Sequence, residues 1–202
     1  MTFPERIAIA SHNEHKLREL ARICTDWPTT WVTVQTQDPS RFPDVEETGE
    51  TYLENALLKA RAVAEALGVP AMSDDSGIEV DALGGKPGPR SARYAGEHAS
   101  DEDNLTALMQ AIRGVPRGGR TARYRCVAAI AWPEGEEVYA EGDCEGDLIA
   151  KRSGERGFGY DPIFVPNGWD VTMADLSDQQ KDRISHRGKA FRALRDLLPP
   201  SR

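Results

Sequence analysis

Two carboxylates in succession, Asp74 and Asp75, follow the apolar run Val69-Pro70-Ala71-Met72 and precede Ser76-Gly77. The run reads as a buried strand, and Ser73 to Gly77 as the turn into which it opens. Adjacent like charges at the end of a buried strand repel each other and resist desolvation. The fold must therefore bring a cation or a proton partner to them. A hard divalent metal such as Mg²⁺ meets that demand, because it binds through one or two carboxylates together with phosphate oxygens. Asp-Ser-Gly is also ordinary turn chemistry, since Asp and Ser bond nearby backbone and Gly accepts positive φ. The remainder of the chain has to decide between the two readings.

At 202 residues the chain suits one domain, with room for two lobes and a substantial core. With 39% hydrophobic and 29% charged residues it reads as soluble and globular. No apolar run approaches the roughly 18 residues of a membrane span. The start passes into Ile7-Ala8-Ile9-Ala10 without the regions of a signal peptide, so a cytoplasmic setting is expected. Cys24, Cys126 and Cys144 are odd in number and far apart, which indicates neither a disulfide framework nor a Cys-rich zinc site. A net charge of -8 argues against a sequence-independent grip on long nucleic acid. One small phosphorylated ligand needs only a few local cations.

Arg6 to Ala10 reads as a strand, Ser11-His12-Asn13 as a turn, and Glu14 to Cys24 as a helix with Leu17, Leu20, Ala21 and Cys24 on one side. That order aims the first helical amides above a strand end, a natural anion site. Trp31 to Val34 is a second strand candidate, and Gln35 to Glu47 a loop. Thr51 and Glu54 form a capping box for a helix that Gly68 and Pro70 end. Ile78 to Leu83 alternates as a short strand, Gly84 to Pro89 is a Gly/Pro loop, and Ser100 with Asp103 opens a helix to about Arg113. Ala122 to Trp132, the turn Pro133 to Glu136, and the run from Val138 predict a long hairpin. Gly154 to Asp161 is a glycine-rich loop and Asp182 to Leu198 a last helix. The fold expected is α/β, with a mixed sheet, long antiparallel strands and flanking helices.

Several groups of residues suit a phosphorylated, flat ligand. Ser11, Asn13 and Lys16 place a hydroxyl, an amide and an ammonium around a helix N-terminus, although a plain N-cap has the same appearance. In Gly157-Phe158-Gly159-Tyr160-Asp161-Pro162 the glycines let backbone approach a ligand on which Phe158 stacks, or the loop simply tucks under its own aromatic. Asp161, held extended before Pro162, is well aimed. Lys181, His186, Arg187 and Lys189 crowd the start of the last helix, where cations oppose the macrodipole and a bound anion relieves them. Arg187 is the better candidate for reading an acceptor oxygen. Asp44, Glu46 and Glu47 precede Thr48-Gly49, and any of them, with Asp75, completes a two-segment magnesium site.

Taken in order, Ser-x-Asn-x-x-Lys, Glu-Glu-Thr-Gly, Glu-Asn-Ala-x-x-Lys-Ala, Asp-Asp-Ser-Gly, Ser-Ala-Arg-Tyr, Gly-Phe-Gly-Tyr-Asp-Pro and Ser-His-Arg resemble the inosine triphosphate pyrophosphatase family. The match runs from about Ile7 to Leu194. The resemblance implies a single two-lobed α/β domain over residues 1–202, with an elongated central mixed sheet, an active site in the cleft between the lobes, and a homodimer. It implies Mg²⁺-dependent hydrolysis of dITP, ITP and XTP to the monophosphate and pyrophosphate. On that pattern Ser11, His12, Asn13, Glu14, His15 and Lys16 cradle phosphates, and Lys59 and Lys181 add charge. Asp75 is the proton acceptor and a metal ligand, Glu46 a second ligand, and Ser76 a substrate contact. Phe158, Gly159, Tyr160 and Asp161 line the nucleoside, with His186 and Arg187 at the base. Gln180 departs from the Glu that such proteins often carry before the Lys.

Overall fold

A computed structural model of the chain describes residues 3–198. Its strands are β1 (Arg6–Ile9), β2 (Thr30–Val32), β3 (Ala71–Val80), β4 (Thr121–Ala131), β5 (Glu137–Leu148) and β6 (Phe164–Pro166). Its α-helices are α1 (Glu14–Ile23), α2 (Tyr52–Leu67), α3 (Asp101–Ala111), α4 (Asp178–Ile184) and α5 (His186–Asp196). The strands form one mixed sheet in the order β2-β1-β3-β4-β5-β6. β1 runs parallel to β2 and β3, whereas β5 and β6 are antiparallel. The expected α/β architecture with a long hairpin is present.

Local chemistry explains most element boundaries. The Asn13 side chain caps α1 by accepting the His15 and Lys16 amides at 2.9 and 3.2 Å. Thr51 and Glu54 form the capping box of α2, and Gly68 ends it in the left-handed region at φ 65°. Ser100 and Asp103 cap α3 in the same reciprocal way. The β4–β5 turn closes where the Trp132 amide donates to the Glu136 carbonyl at 2.9 Å.

Several elements differ from the sequence prediction: Asp81–Leu83 is a 3-10 helix rather than the end of a strand, and Asp161 opens a 3-10 helix rather than lying extended before Pro162. Ser73 to Gly77 is no turn, because β3 runs unbroken through both carboxylates to Val80. The last helix is divided: Ser185 takes extended backbone (φ -63°, ψ 152°) between α4 and α5. Lys181 and Arg183 thus lie in the last turn of α4, where cations favour the macrodipole. Gln180 serves as the capping-box partner of Ser177, accepting its amide at 2.9 Å, so the Glu-to-Gln departure keeps its hydrogen bond.

The chain divides into two compact units, one of Met1–Asp75, Cys126–Gly142 and Arg187–Arg202, the other of Ser76–Arg125 and Asp143–His186. In the first, strands are covered on both sides. Ile7, Ile9, Met72, Ala128 and Ile130 pack with Leu17 and Leu20 of α1 and Phe191 and Leu194 of α5. Their neighbours in register, Ala8, Ala10 and Ala71, pack with Val63 and Ala64 of α2, and Val127 and Ala129 with Ala56. Burial on both faces explains why these strands read as continuous apolar runs.

The second unit buries one face of its strands. Ile78, Val80, Ala122, Tyr124, Cys144 and Leu148 pack with Leu105 and Leu108 of α3 and with Phe164 and Met173. The alternate positions carry charge. Arg123 meets Asp81 at 3.0 Å, Glu145 at 2.9 Å and Glu79 at 3.6 Å, and Arg125 meets Asp143 at 3.4 Å.

Candidate active site

Because β3 is extended through residues 73 to 77, successive side chains point to opposite faces. Ser73 and Asp75 face α2, where the Ser73 hydroxyl donates to the Ala56 carbonyl at 2.5 Å and Asp75 meets Asn55. Asp74 points the other way, to α1 and α5. The two adjacent carboxylates are thereby turned to opposite sides of the strand, Asp74 toward Arg187 and Asp75 toward Asn55. That resolves the repulsion the sequence posed.

Asp74 is 3% exposed and belongs to a buried charge network. Its Oδ2 accepts from Arg187 Nη2 at 3.0 Å and pairs with Lys16 Nζ at 3.2 Å. The Lys16 ammonium also donates to the Asp74 carbonyl at 3.3 Å. Arg187, 1% exposed, reaches Glu19 Oε2 through Nη1 at 2.5 Å. Burial of Asp74 disfavours its charge, but Arg187, then Lys16 and Lys59, outweigh it and hold the carboxyl well below the usual range. Arg187 is also buried, and Asp74 and Glu19 more than compensate, so its charge is locked in.

Asp75 is 4% exposed, and its environment works in the opposite direction. Burial pushes its carboxyl above the ordinary value, Lys59 and Lys16 only partly offset this, and the Glu47 charge adds to the rise. Lys59 Nζ lies 3.8 Å from Asp75 Oδ1 and 2.5 Å from Glu47 Oε1. Burial favours the neutral Lys59 amine, yet Asp75, Glu47 and Asp74 raise its pKa and keep it charged. Two carboxylates on one ammonium, one of them reluctant to ionise, form a hard oxygen donor set that gains from a further cation. Among the described residues no three His, Cys, Asp or Glu side chains gather as a metal cage. Two carboxylates completed by substrate phosphates fit Mg²⁺ without one.

The second unit holds another constellation. Lys181 is buried, pairs with Asp161 Oδ2 at 2.6 Å, and lies 4.9 Å from the centre of the Phe158 ring. Asp161 also accepts the Tyr124 hydroxyl at 3.2 Å and the Phe158 amide at 2.9 Å. His186 stacks on Tyr124, with ring centres 4.6 Å apart and planes 7° from parallel. Tyr160 is buried and donates to the Ser91 carbonyl at 2.7 Å. Gly157 is required by this packing: it sits at φ 73°, and a Cβ there runs into the Asp161 carboxylate.

The structure gathers the sequence-derived candidates into two groups and leaves the others outside them. Lys16, Lys59 and Asp75 come together in the first unit, and Phe158, Asp161, Lys181 and His186 in the second. Ser76 and Gly159 are half-buried beside their neighbours, with the Gly159 amide donating to Asp101 at 3.2 Å. His12, Glu14 and His15 are exposed, Asn13 is occupied as the α1 cap, and the Ser11 hydroxyl accepts the Asn13 amide at 3.2 Å. Glu46 is exposed, and its neighbour Glu47 pairs with Lys59 at 2.5 Å. Arg187, expected to face a base, is engaged with Asp74 and Glu19. Sequence reasoning missed Glu19 and Asn55. Glu19 stands three residues after Lys16, hence on the same side of α1, and that spacing was its available signal.

Comparison with known proteins places these residues in context. The Ham1 family model matches residues 7–197. The dITP/XTP pyrophosphatase of Streptomyces coelicolor is 47% identical over 197 residues, covering 96% of this chain and 98% of the relative. The structure of the Staphylococcus aureus Ham1 protein is 42% identical with a TM-score of 0.82, over 95% of this chain and 97% of that one. A HAM1 protein from Coxiella burnetii is 36% identical with a TM-score of 0.85, over 98% of both. Matched by the family model over residues 7–197 and by relatives over nearly its whole length, this chain belongs to the Ham1 family.

Proposed function

We propose that this chain hydrolyses non-canonical purine nucleoside triphosphates, dITP, ITP and XTP, to the monophosphate and pyrophosphate. The observation that carries the reading is Asp75, a buried carboxylate of raised pKa that shares one ammonium with Glu47. The names of the curated relatives support the substrate class. Asp75 and Glu46 would hold Mg²⁺, and Glu47, which shares the Lys59 ammonium with Asp75, is the alternative second carboxylate. Bound there, the ion would neutralise charge on the phosphates and act as a Lewis acid.

The chain's own residues carry the remaining tasks. Lys59 and Lys16 balance the charge of the triphosphate, and Ser11 to His15 offer the amides and side chains of a helix N-terminus to it. Asp75 orients the attacking water and accepts its proton, a task suited to a carboxylate of raised pKa. Ser76 contacts the same substrate. Phe158, with Gly159, Tyr160 and Asp161, takes the nucleoside, Lys181 supplies positive charge next to that ring, and His186 reads the base. The Arg187 guanidinium acts from behind, holding Asp74 and the strand on which Asp75 stands. Refusal of adenine follows if the pocket presents a donor to the purine 6-position. An unsatisfied buried donor costs about 1–3 kcal/mol. We further propose, on the family resemblance, a homodimer in the cytoplasm, which light scattering of the purified protein tests for its oligomeric part.

The deciding experiment measures the product released from dITP, ITP, XTP, ATP, dGTP and GTP, with Mg²⁺ and with chelator. Pyrophosphate from the first three, lost on chelation, is the expected result. Absence of turnover would make the protein a nucleotide-binding sensor, and orthophosphate would make it a phosphatase.

A further inference from the structure

We infer that Asn55 is a positioning residue for Asp75, an inference that rests on Asp75 being the carboxylate that handles the attacking water. Asn55 is fully buried on α2. Its Nδ2 donates to Asp75 Oδ2 at 3.1 Å, and its Oδ1 accepts the Gly49 backbone amide at 2.8 Å. A donor on one side and a carboxylate on the other admit one orientation of the amide. Reversed, it would set NH₂ against N–H and oxygen against oxygen.

The consequence is that the two oxygens of Asp75 differ. Oδ2 is tied by Asn55, and Oδ1 is the oxygen nearer Lys59. A carboxylate fixed through one oxygen presents the other in a set direction, and small errors in such a direction are costly to reaction rate. The same amide also anchors the segment that bears Glu47. Gly49 is needed at that contact, since a Cβ there would stand 2.6 Å from Asn55 Oδ1 and 2.7 Å from Glu54 Cβ. The Glu47-Thr48-Gly49 and Glu54-Asn55-Ala56 stretches thus form one device, which keeps Glu47 and Asp75 on the same ammonium.

The test uses the full-length protein, pyrophosphate release from ITP with Mg²⁺, and melting curves for each variant. Asn55→Asp keeps an acceptor for Gly49 and loses the donor to Asp75, whereas Asn55→Ala loses both. Positioning requires that kcat fall at least ~10-fold in both, with KM for ITP held within ~2-fold. If Asn55 only clamped the loop, Asn55→Asp would retain wild-type kcat. If the added charge alone were harmful, Asn55→Ala would retain it. Either result in a folded variant overturns the inference, as does a rise in KM at constant kcat. Should Asn55→Ala fail to fold, Asn55→Ser takes its place as the uncharged variant, its side chain being too short to span Gly49 and Asp75, and the same kcat and KM criteria apply to it. A wild-type protein that releases no pyrophosphate removes the underlying reading instead, so the two failures are distinguishable.

Discussion

Asp74 and Asp75 share one strand and nearly the same burial, yet Asp74 is held ionised by Arg187 and Lys16 while burial raises Asp75 against the partial opposition of Lys59 and Lys16. The contact distances match this division. Asp74 has a guanidinium at 3.0 Å and an ammonium at 3.2 Å, whereas the Lys59 ammonium stands 3.8 Å from Asp75 and is shared with Glu47. Burial alone therefore does not decide the state of a carboxylate; the closeness and number of its cations do. One face of β3 carries a carboxylate held well below its ordinary range, and the other one raised above it by burial.

The largest expected effect breaks the Asp74 face. Arg187→Ala leaves Asp74 and Glu19 buried without their shared cation and should lower stability by about 3–5 kcal/mol, read by denaturant unfolding. A variant as stable as wild type would show that the network does not hold the strand. The same loss would precede any change in the preference for ITP over ATP, the effect that a base-reading Arg187 would produce first. The Asp74 contribution also has a defined pH dependence. Its folded pKa lies below its unfolded one, so its stabilisation is full above the ordinary value of about 3.9 and is lost as pH falls toward the folded value. The gap in melting temperature between wild type and Asp74→Asn should hold from about pH 8 to about pH 5 and close only below about pH 4.

On the other face, the role proposed for Asp75 requires that Asp75→Asn lower turnover by at least ~10²-fold while moving the melting temperature less than Asp74→Asn does. Near wild-type turnover at saturating Mg²⁺ would exchange the roles of the two faces. A smaller effect is expected in the second unit, where Gly157→Ala should cost at least about 1–2 kcal/mol through its left-handed backbone and its approach to Asp161. Unchanged unfolding of that variant would mean that the loop relaxes freely. The smallest is Arg123→Ala on the charged strand face, expected within about 1 kcal/mol because its partners are accessible to water. A larger loss would indicate that this face is covered.

The elements that the sequence predicted well are those governed by neighbours along the chain. The caps of α1, α2 and α3 lie within a few residues of the amides they satisfy, and the β4–β5 turn closes over Pro133 to Glu136. Ser73 to Gly77 misled for the same reason. Locally it is good turn chemistry, and only pairing on the sheet, together with Ala56 beneath Ser73, holds it extended. Along the chain the cations near His186 and Arg187 suit an anion, whereas in the fold α4 ends among some of them and Asp74 and Glu19 take Arg187.

By itself the sequence determined the α/β alternation, the helix ends, the ordered motifs of the family, and the identity of Lys16, Lys59, Asp75, Phe158 and Lys181 as groups that meet partners. Tertiary structure alone decided which side of β3 each carboxylate faces, that Glu47 pairs with Lys59, and that Asn55 and Glu19 belong to the two networks. The reason is one of distance along the chain. Arg187 and Glu19 are 168 residues apart, and Asn55 and Asp75 are 20 apart, so their contacts exist only once strand alternation and helix packing have set the faces.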